Sequence, residues 1–355
     1  MRIILFALPL LLLSFASGLA QDKPAEAPKY APPKDAAFTT EEVKIVFDAG
    51  DAAKEWHLTG SFNLPTGDMP AGGWPAVFFI SGSGMQDRHG LAGGMDLGTW
   101  QVLDAVANAG FAVLRVDDRA TGGSMLGPKG TLEIGYHDLV NDARQCVNWL
   151  KAHEKVNKSR IFLIGHSEGG TTAPILASED DSLAGVVFMA APGRNMYDVI
   201  YMQVRENLDG KVPKSQIEPT MKVQKEFQDA VKENREPDFK IVPKKVWTDN
   251  AGGRKWMREH FNLDLPAIHA KVKCPCFITQ GAADFQVKVV EDARLLASNL
   301  SKGQCKDLTL RVYDDLDHLF KPCGGRKSSL SMYSEKRDVD AAFLKDLVAW
   351  LTARR

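Results

Sequence analysis

The sequence has no surplus of charge of either sign: 44 Lys and Arg stand against 45 Asp and Glu, for a net charge of −1. That balance argues against a nucleic-acid or anionic-lipid partner, because such binding needs a basic face. Cysteine is scarce, with five in 355 residues, so the chain is not built on a disulfide scaffold. Long apolar runs are missing apart from one near the start, which excludes a protein with many membrane spans. No internal repeat is visible. Gly122-Gly123-Ser124 lacks the spacing and the Lys of a phosphate loop, and no dinucleotide fingerprint follows the first buried strand, so no cofactor is expected. What is present is ordinary for a folded chain: 44% apolar and 25% charged residues, in a length that suits one large α/β domain or two smaller ones.

The single apolar run lies at Ile3 to Phe15, behind Arg2 and ahead of the small residues Gly18-Leu19-Ala20. As a helix it spans roughly 20 Å, short of a hydrocarbon core of roughly 30 Å. Residues 1–20 therefore read as a signal peptide cleaved near Ala20, and the protein is expected to be exported, periplasmic or extracellular, without stable membrane insertion afterwards. Residues 21–37, rich in Pro, Ala and Lys, read as a flexible leader. In an oxidising compartment Cys305 could bridge Cys274 or Cys276; Cys146 lies in a helical pattern and reads as core, and the odd count leaves at least one cysteine free or paired between chains.

From 38 to 355 the pattern is that of one α/β domain. Val43 to Phe47 and His57 to Phe62 alternate apolar and polar residues, as an antiparallel pair at a sheet edge does. Continuous apolar runs follow at Ala76 to Ile80, Phe111 to Val116, Ile161 to Ile164, Ala184 to Ala190 and Cys276 to Ile278, and Leu308 to Val312 closes the series. Such runs fit strands buried on both faces of a parallel sheet, and helical patterns lie between them. The expected fold class is α/β: a mostly parallel, doubly wound sheet with two antiparallel leading strands. Roughly 80 residues of charged, helix-favouring sequence interrupt the rhythm, too long for a structureless loop, so 194–268 is expected to form an inserted helical cap.

The segment Ile161-Phe-Leu-Ile-Gly165-His166-Ser167-Glu168-Gly169-Gly170 runs a buried strand into G-x-S-x-G and then into a helix. This is the nucleophile-elbow pattern: a strained turn that lifts the Ser hydroxyl to a helix N-terminus. A Ser nucleophile needs a His base, oriented by a carboxylate, and with this elbow the order along the chain is Ser, acid, His. Of the eight histidines only His260, His269 and His318 follow Ser167, and the first two lie in or beside the cap. His318, in the loop after the last strand, is the expected base. Asp284, after a strand and a Gly turn, is the expected acid; Asp315 and Asp317 stand too near His318 and are expected to shape its loop. The oxyanion hole is expected from the backbone N–H groups of Glu168 and Ser83, with Gly84 and Met85 as neighbours of the second. The Glu168 side chain is expected to bond locally. Asp87, Arg88, Asp117, Asp118 and Arg119 read as an ion-paired brace, with substrate-carboxylate binding by Arg119 as the other reading. Tyr197, Tyr201, Phe227, Trp247 and Trp256 could line a pocket or simply pack the cap.

Taken together, Gly165 to Gly170 (GHSEGG), Ser81 to Arg88 (SGSGMQDR), Val116 to Ser124 (VDDRATGGS), Asp284 in GAAD and His318 in DLDHLF resemble the exported bacterial carboxylesterases of the α/β-hydrolase superfamily. The resemblance covers about 39–355 without the cap. It implies a serine carboxylic ester hydrolase for short- to medium-chain acyl esters, with Ser167, Asp284 and His318 as its triad and a small-molecule ester as its partner. Two positions depart from the pattern: Met85 stands where Pro is usual, and Ala120 where Gly is usual. The competing readings are a prolyl-oligopeptidase-like serine peptidase, a thioesterase, and a catalytically dead binding module.

Overall fold

The computed structural model describes residues 30–48, 50–51 and 54–355. The signal expected at 1–20 and the first part of the leader lie outside them. Among the described residues ten strands and ten α-helices follow one another. They are β1 (Phe38–Phe47), β2 (Trp56–Pro65), β3 (Trp74–Ile80), the short hairpin β4 (Leu91–Ala92) and β5 (Met95–Asp96), α1 (Thr99–Asn108), β6 (Ala112–Val116), α2 (Tyr136–Ala152), β7 (Val156–His166), α3 (Gly169–Glu179) and β8 (Gly185–Met189). Then come α4 (Met196–Leu208), α5 (Lys214–Lys232), α6 (Lys244–Asp249), α7 (Arg254–Phe261), α8 (Leu265–Lys271), β9 (Cys276–Gly281), α9 (Leu295–Lys302), β10 (Leu308–Tyr313) and α10 (Ala341–Thr352).

Eight strands form one sheet in the order β1-β2-β6-β3-β7-β8-β9-β10. β1 runs antiparallel to β2, and β2 to β6; every other pairing is parallel. The central strands are apolar on both faces: Ile161, Phe162, Leu163 and Ile164 of β7 are all fully buried. One core packs this sheet on α2, α3 and α9 through residues such as Val140, Leu150, Leu176 and Leu296. The other packs it on α1 and α10 through Val102, Leu103, Phe343 and Leu347. Helix α2 shows why these segments coil: its buried residues Tyr136, Val140, Ala143, Val147 and Leu150 recur every three or four positions, and Asp138 accepts the Gly135 N–H at 2.9 Å to close the first turn.

The sheet ends in two different edges. β1 turns Glu41, Glu42 and Lys44 outward, whereas β10 leaves Leu310 and Val312 exposed on either side of Arg311. Between β8 and β9, helices α4 to α7 gather their own small core around Val199, Ile200, Phe227, Met257 and Phe261, whereas α8 packs on the main core through Ile268.

Two expectations need correction here. The leader is not free throughout 21–37: Tyr30 donates a 2.8 Å hydrogen bond to Asp104, stacks on His89 and lies beneath the Arg115 guanidinium. Arg115 and Asp104 are themselves a buried pair at 2.6 Å, so an aromatic ring with a polar tip finds both of its needs there. The bridge considered for Cys305 is also not formed. All five cysteines are free thiols, and Cys276 and Cys305 both donate to the Cys274 carbonyl at 3.4 Å.

Candidate active site

The chain leaves β7 and turns sharply into α3 at Ser167, whose φ of 52° is left-handed. A non-glycine residue in that region costs about 1–3 kcal/mol, so the surroundings must hold it. The Ser167 N–H donates to the Met189 carbonyl at the end of β8 at 2.9 Å, and Gly170 N–H returns to the Ser167 carbonyl at 2.9 Å. The flanking glycines are required by crowding. A Cβ on Gly165 would sit 2.4 Å from the Gly169 carbonyl oxygen, and one on Gly169 would sit 2.2 Å from that of Ile80.

His318 and Asp284 come from loops that follow β10 and β9. Their side chains meet at 2.7 Å, His318 Nδ1 to Asp284 Oδ2, with both residues buried. Asp284 is held by three further donors: the backbone N–H groups of Gln286 and Val287 at 2.7 and 3.1 Å, and Gln280 Nε2 at 3.0 Å. The His318 loop is shaped by Asp317, which accepts the N–H groups of Leu319 and Lys321 and pairs with Arg337 at 2.7 Å. Asp315 likewise caps a turn, accepting from Gly324 and Gly325. His166 Nε2 donates to the His318 carbonyl at 2.9 Å. Burial, and then the neighbouring His318, press the His166 pKa down to about 3, so this second imidazole stays neutral beside the first.

The loop between β3 and β4 closes the other side. Half-buried Asp118 accepts from Ser81 Oγ at 2.7 Å and from the Gln86 N–H at 2.9 Å, while Gln86 Nε2 reaches back to the Gly82 carbonyl at 3.1 Å. Burial lifts the Asp118 pKa to about 7 against the pull of these hydrogen bonds. Glu168 behaves similarly, at about 6, and its bonding corrects the expectation of a local contact: it accepts from Ser83 Oγ at 2.5 Å and from Trp256 Nε1 of α7 at 2.7 Å.

Ser167 and His318 line one cavity of about 90 Å³ together with Gly82, Ser83 and Gly84. Its remaining wall is largely apolar, including Met95, Leu97, Met196, Val199, Leu330 and Tyr333, and none of its lining residues is Lys, Arg, Asp or Glu. The cap therefore reaches the cavity through α4. The cap aromatics do not line it: Tyr197, Phe227, Trp247 and Trp256 pack with the cap core. Tyr333 and Met196 were not foreseen, because nothing in a lone Tyr or Met of the sequence marks the wall it faces. His260 and His269 sit buried in α7 and α8, away from this cavity.

Arg119 also stands elsewhere. It is clamped on Asp142 at 2.5 Å and lies over the Trp56 ring, while Arg88 pairs with Asp117 at 2.8 Å, so this motif is a brace. Ala120 adopts φ 57°, which explains why Gly is usual at that position. Among the described residues no group of three His, Cys, Asp or Glu side chains is placed to hold a metal ion, and no helix is long and apolar enough to cross a membrane.

A mostly parallel sheet, a serine on a strained strand-to-helix turn and a His–Asp pair on the following strand-end loops define an α/β-hydrolase. Within that fold the chain belongs to the Hydrolase_4 family, described as serine aminopeptidase, S33, whose model matches residues 89–320. It is similar to Esterase EstD of Thermotoga maritima, 27% identical over 296 residues, a match that covers 83% of this chain and 65% of that protein. The chain thus spans a little under two thirds of the length of that curated relative. Among solved structures, the Pyrococcus furiosus esterase Pf2001 superposes with a TM-score of 0.57 at 18% identity, covering 93% of this chain and 97% of that one. The hypothetical protein PA2218 of Pseudomonas aeruginosa gives 0.55 at 13% identity, covering 95% and 100%. At such identities these likenesses speak for the fold alone.

Proposed function

We propose that the protein is a serine carboxylic ester hydrolase acting on short- to medium-chain acyl esters, exported by the signal at 1–20. The observation that carries the reading is the 2.7 Å His318–Asp284 pair opening on the same cavity as Ser167. His318 Nδ1–H donates to Asp284, which leaves Nε2 with the lone pair that takes the Ser167 proton. Ser167 Oγ attacks the ester carbonyl, and the tetrahedral oxyanion is held by the backbone N–H groups of Glu168 and Ser83. The imidazolium then protonates the departing alcohol. Water, activated by the same His318, hydrolyses the acyl-enzyme and restores Ser167. Neutral His166 adds no positive charge beside the imidazolium that forms.

The family description raises an aminopeptidase as the second reading. A free α-amine needs a carboxylate to receive it, and the lining of this cavity offers none, which favours a neutral ester. The test is hydrolysis of p-nitrophenyl esters from acetate to palmitate beside aminoacyl p-nitroanilides and matched thioesters, with wild type and Ser167→Ala. Ester turnover that peaks at short chains and vanishes in the variant supports the reading. Turnover of the anilides alone, or better turnover of the thioesters, replaces it. No reaction with any of them, or with a fluorophosphonate probe, leaves a binding module.

A further inference from the structure

Glu168 is a carboxylate placed where carboxylates are expensive. It is 7% exposed, among the described residues no Lys or Arg pairs with it, and His260, whose Nε2 stands 3.7 Å from Oε1, is kept neutral by its own burial. The other ionisable groups that face it are Asp118 and Tyr136, which supply no positive charge. Its two oxygens each take one neutral donor, and the donors come from opposite sides. Oε2 holds Ser83, whose backbone N–H is assigned above to the oxyanion hole; Oε1 holds Trp256, on cap helix α7. Trp256 does not line the cavity, so it has no direct route to a small substrate. Helix α7 is in turn fixed to α2, because Glu259 accepts the His137 N–H at 2.8 Å and Lys255 reaches Asp138 at 3.2 Å.

We propose that Glu168 is a positioning residue that couples the seating of cap helix α7 to the loop carrying the second oxyanion donor, so that the hole is complete only when α7 is docked. This rests on the serine-hydrolase reading. A carboxylate is planar and rigid, and with one oxygen on each partner a displacement of Trp256 passes to Ser83 without a hinge between them. An apolar residue in place of Glu168 could fill the space but could not transmit the position. A Gln could: its carbonyl accepts from Trp256, and its amide donates to Ser83 Oγ, which is free to rotate and accept.

The experiment measures the rate at which Ser167 of the full chain is labelled by a fluorophosphonate, alongside kcat and KM for p-nitrophenyl acetate. Trp256→Phe and Ser83→Ala are each expected to slow labelling and lower kcat about tenfold, the kinetic equivalent of one charge-assisted hydrogen bond, with KM little changed. The double variant is expected to be hardly slower than either single one, since both act through one carboxylate. Glu168→Gln, which can still contact both partners, should lose less than Glu168→Leu, which contacts neither; equal losses overturn the coupling. Single effects that multiply, or a Trp256→Phe that lowers only the melting temperature, overturn the coupling while labelling of the wild type still stands. A wild type that takes no label overturns the serine-hydrolase reading and the coupling with it.

Discussion

Two arms meet at Ser167, and they are built in opposite ways. On the His318 side, Asp284 is held by donors within four residues of itself, between Gln280 and Val287, before it meets His318. On the side proposed to hold the oxyanion, the loop from Ser81 to Gln86 is held by Asp118 and Glu168, each more than 30 residues away in the chain. The first arm is a turn that carries its own support. The second is an assembly of distant pieces, and two carboxylates, one buried and one half-buried, hold it with no cation paired to either among the described residues. The difference teaches where each arm is vulnerable: the first to the loss of a single acceptor, the second to anything that moves its neighbours or protonates its holders.

The largest effect falls on both arms at once. Ser167→Ala should lower kcat by about 10⁴-fold or more, leaving whatever binding and the oxyanion donors still provide, as read by ester turnover in active-site-titrated protein. Asp284→Asn strikes only the self-supported arm. It should cost about 10³–10⁴ in kcat through the wrong imidazole tautomer, with the melting temperature little affected; a loss of under tenfold would mean that Asp284 does not orient His318. Asp118→Asn strikes only the assembled arm, with a smaller kinetic loss of about 10–100-fold, below that of deleting an oxyanion donor outright.

The same residue gives the comparison its pH signature. Asp118 is lifted from 3.8 to about 7 and Glu168 from 4.5 to about 6, so between pH 4 and 7 the folded state holds protons that the unfolded state has released. Their contribution to stability is complete below the unfolded pKa and declines as pH rises through the folded one. Urea unfolding at pH 4.5 and pH 8 should show this decline in the wild type and a shallower one in Asp118→Asn. The smallest effect is expected from Ala120→Gly, which releases the left-handed strain at φ 57° and should raise stability by roughly 0.5 kcal/mol with kcat unchanged.

The same contrast decides what could be read from the sequence. The sheet was legible because a strand buried on both faces must be apolar throughout, as at Ile161 to Ile164. Ser167, Asp284 and His318 could be placed because each follows a strand whose end is marked by Gly or by charged turn residues. Glu168 was misjudged because its partners, Ser83 and Trp256, lie 85 and 88 residues away, and no local rule links them. Tyr30 was absorbed into a Pro-rich leader for the same reason: its anchor is a buried ion pair that exists only once α1 and β6 are packed. The cap aromatics followed composition, whereas the choice between packing inward and lining a cavity depends on helix rotation.

The two edges of the sheet carry a consequence for how these molecules behave in a crowd. An edge strand presents unused N–H and C=O groups to any other chain that comes alongside. At β1 an approaching copy meets Glu41, Glu42 and Lys44, and desolvating such charges is unfavourable. At β10 the flanking residues are Leu310 and Val312, and the guard is Arg311, drawn toward Asp346 at 2.9 Å. Resistance to self-association is thus distributed along one border and concentrated in a single guanidinium on the other.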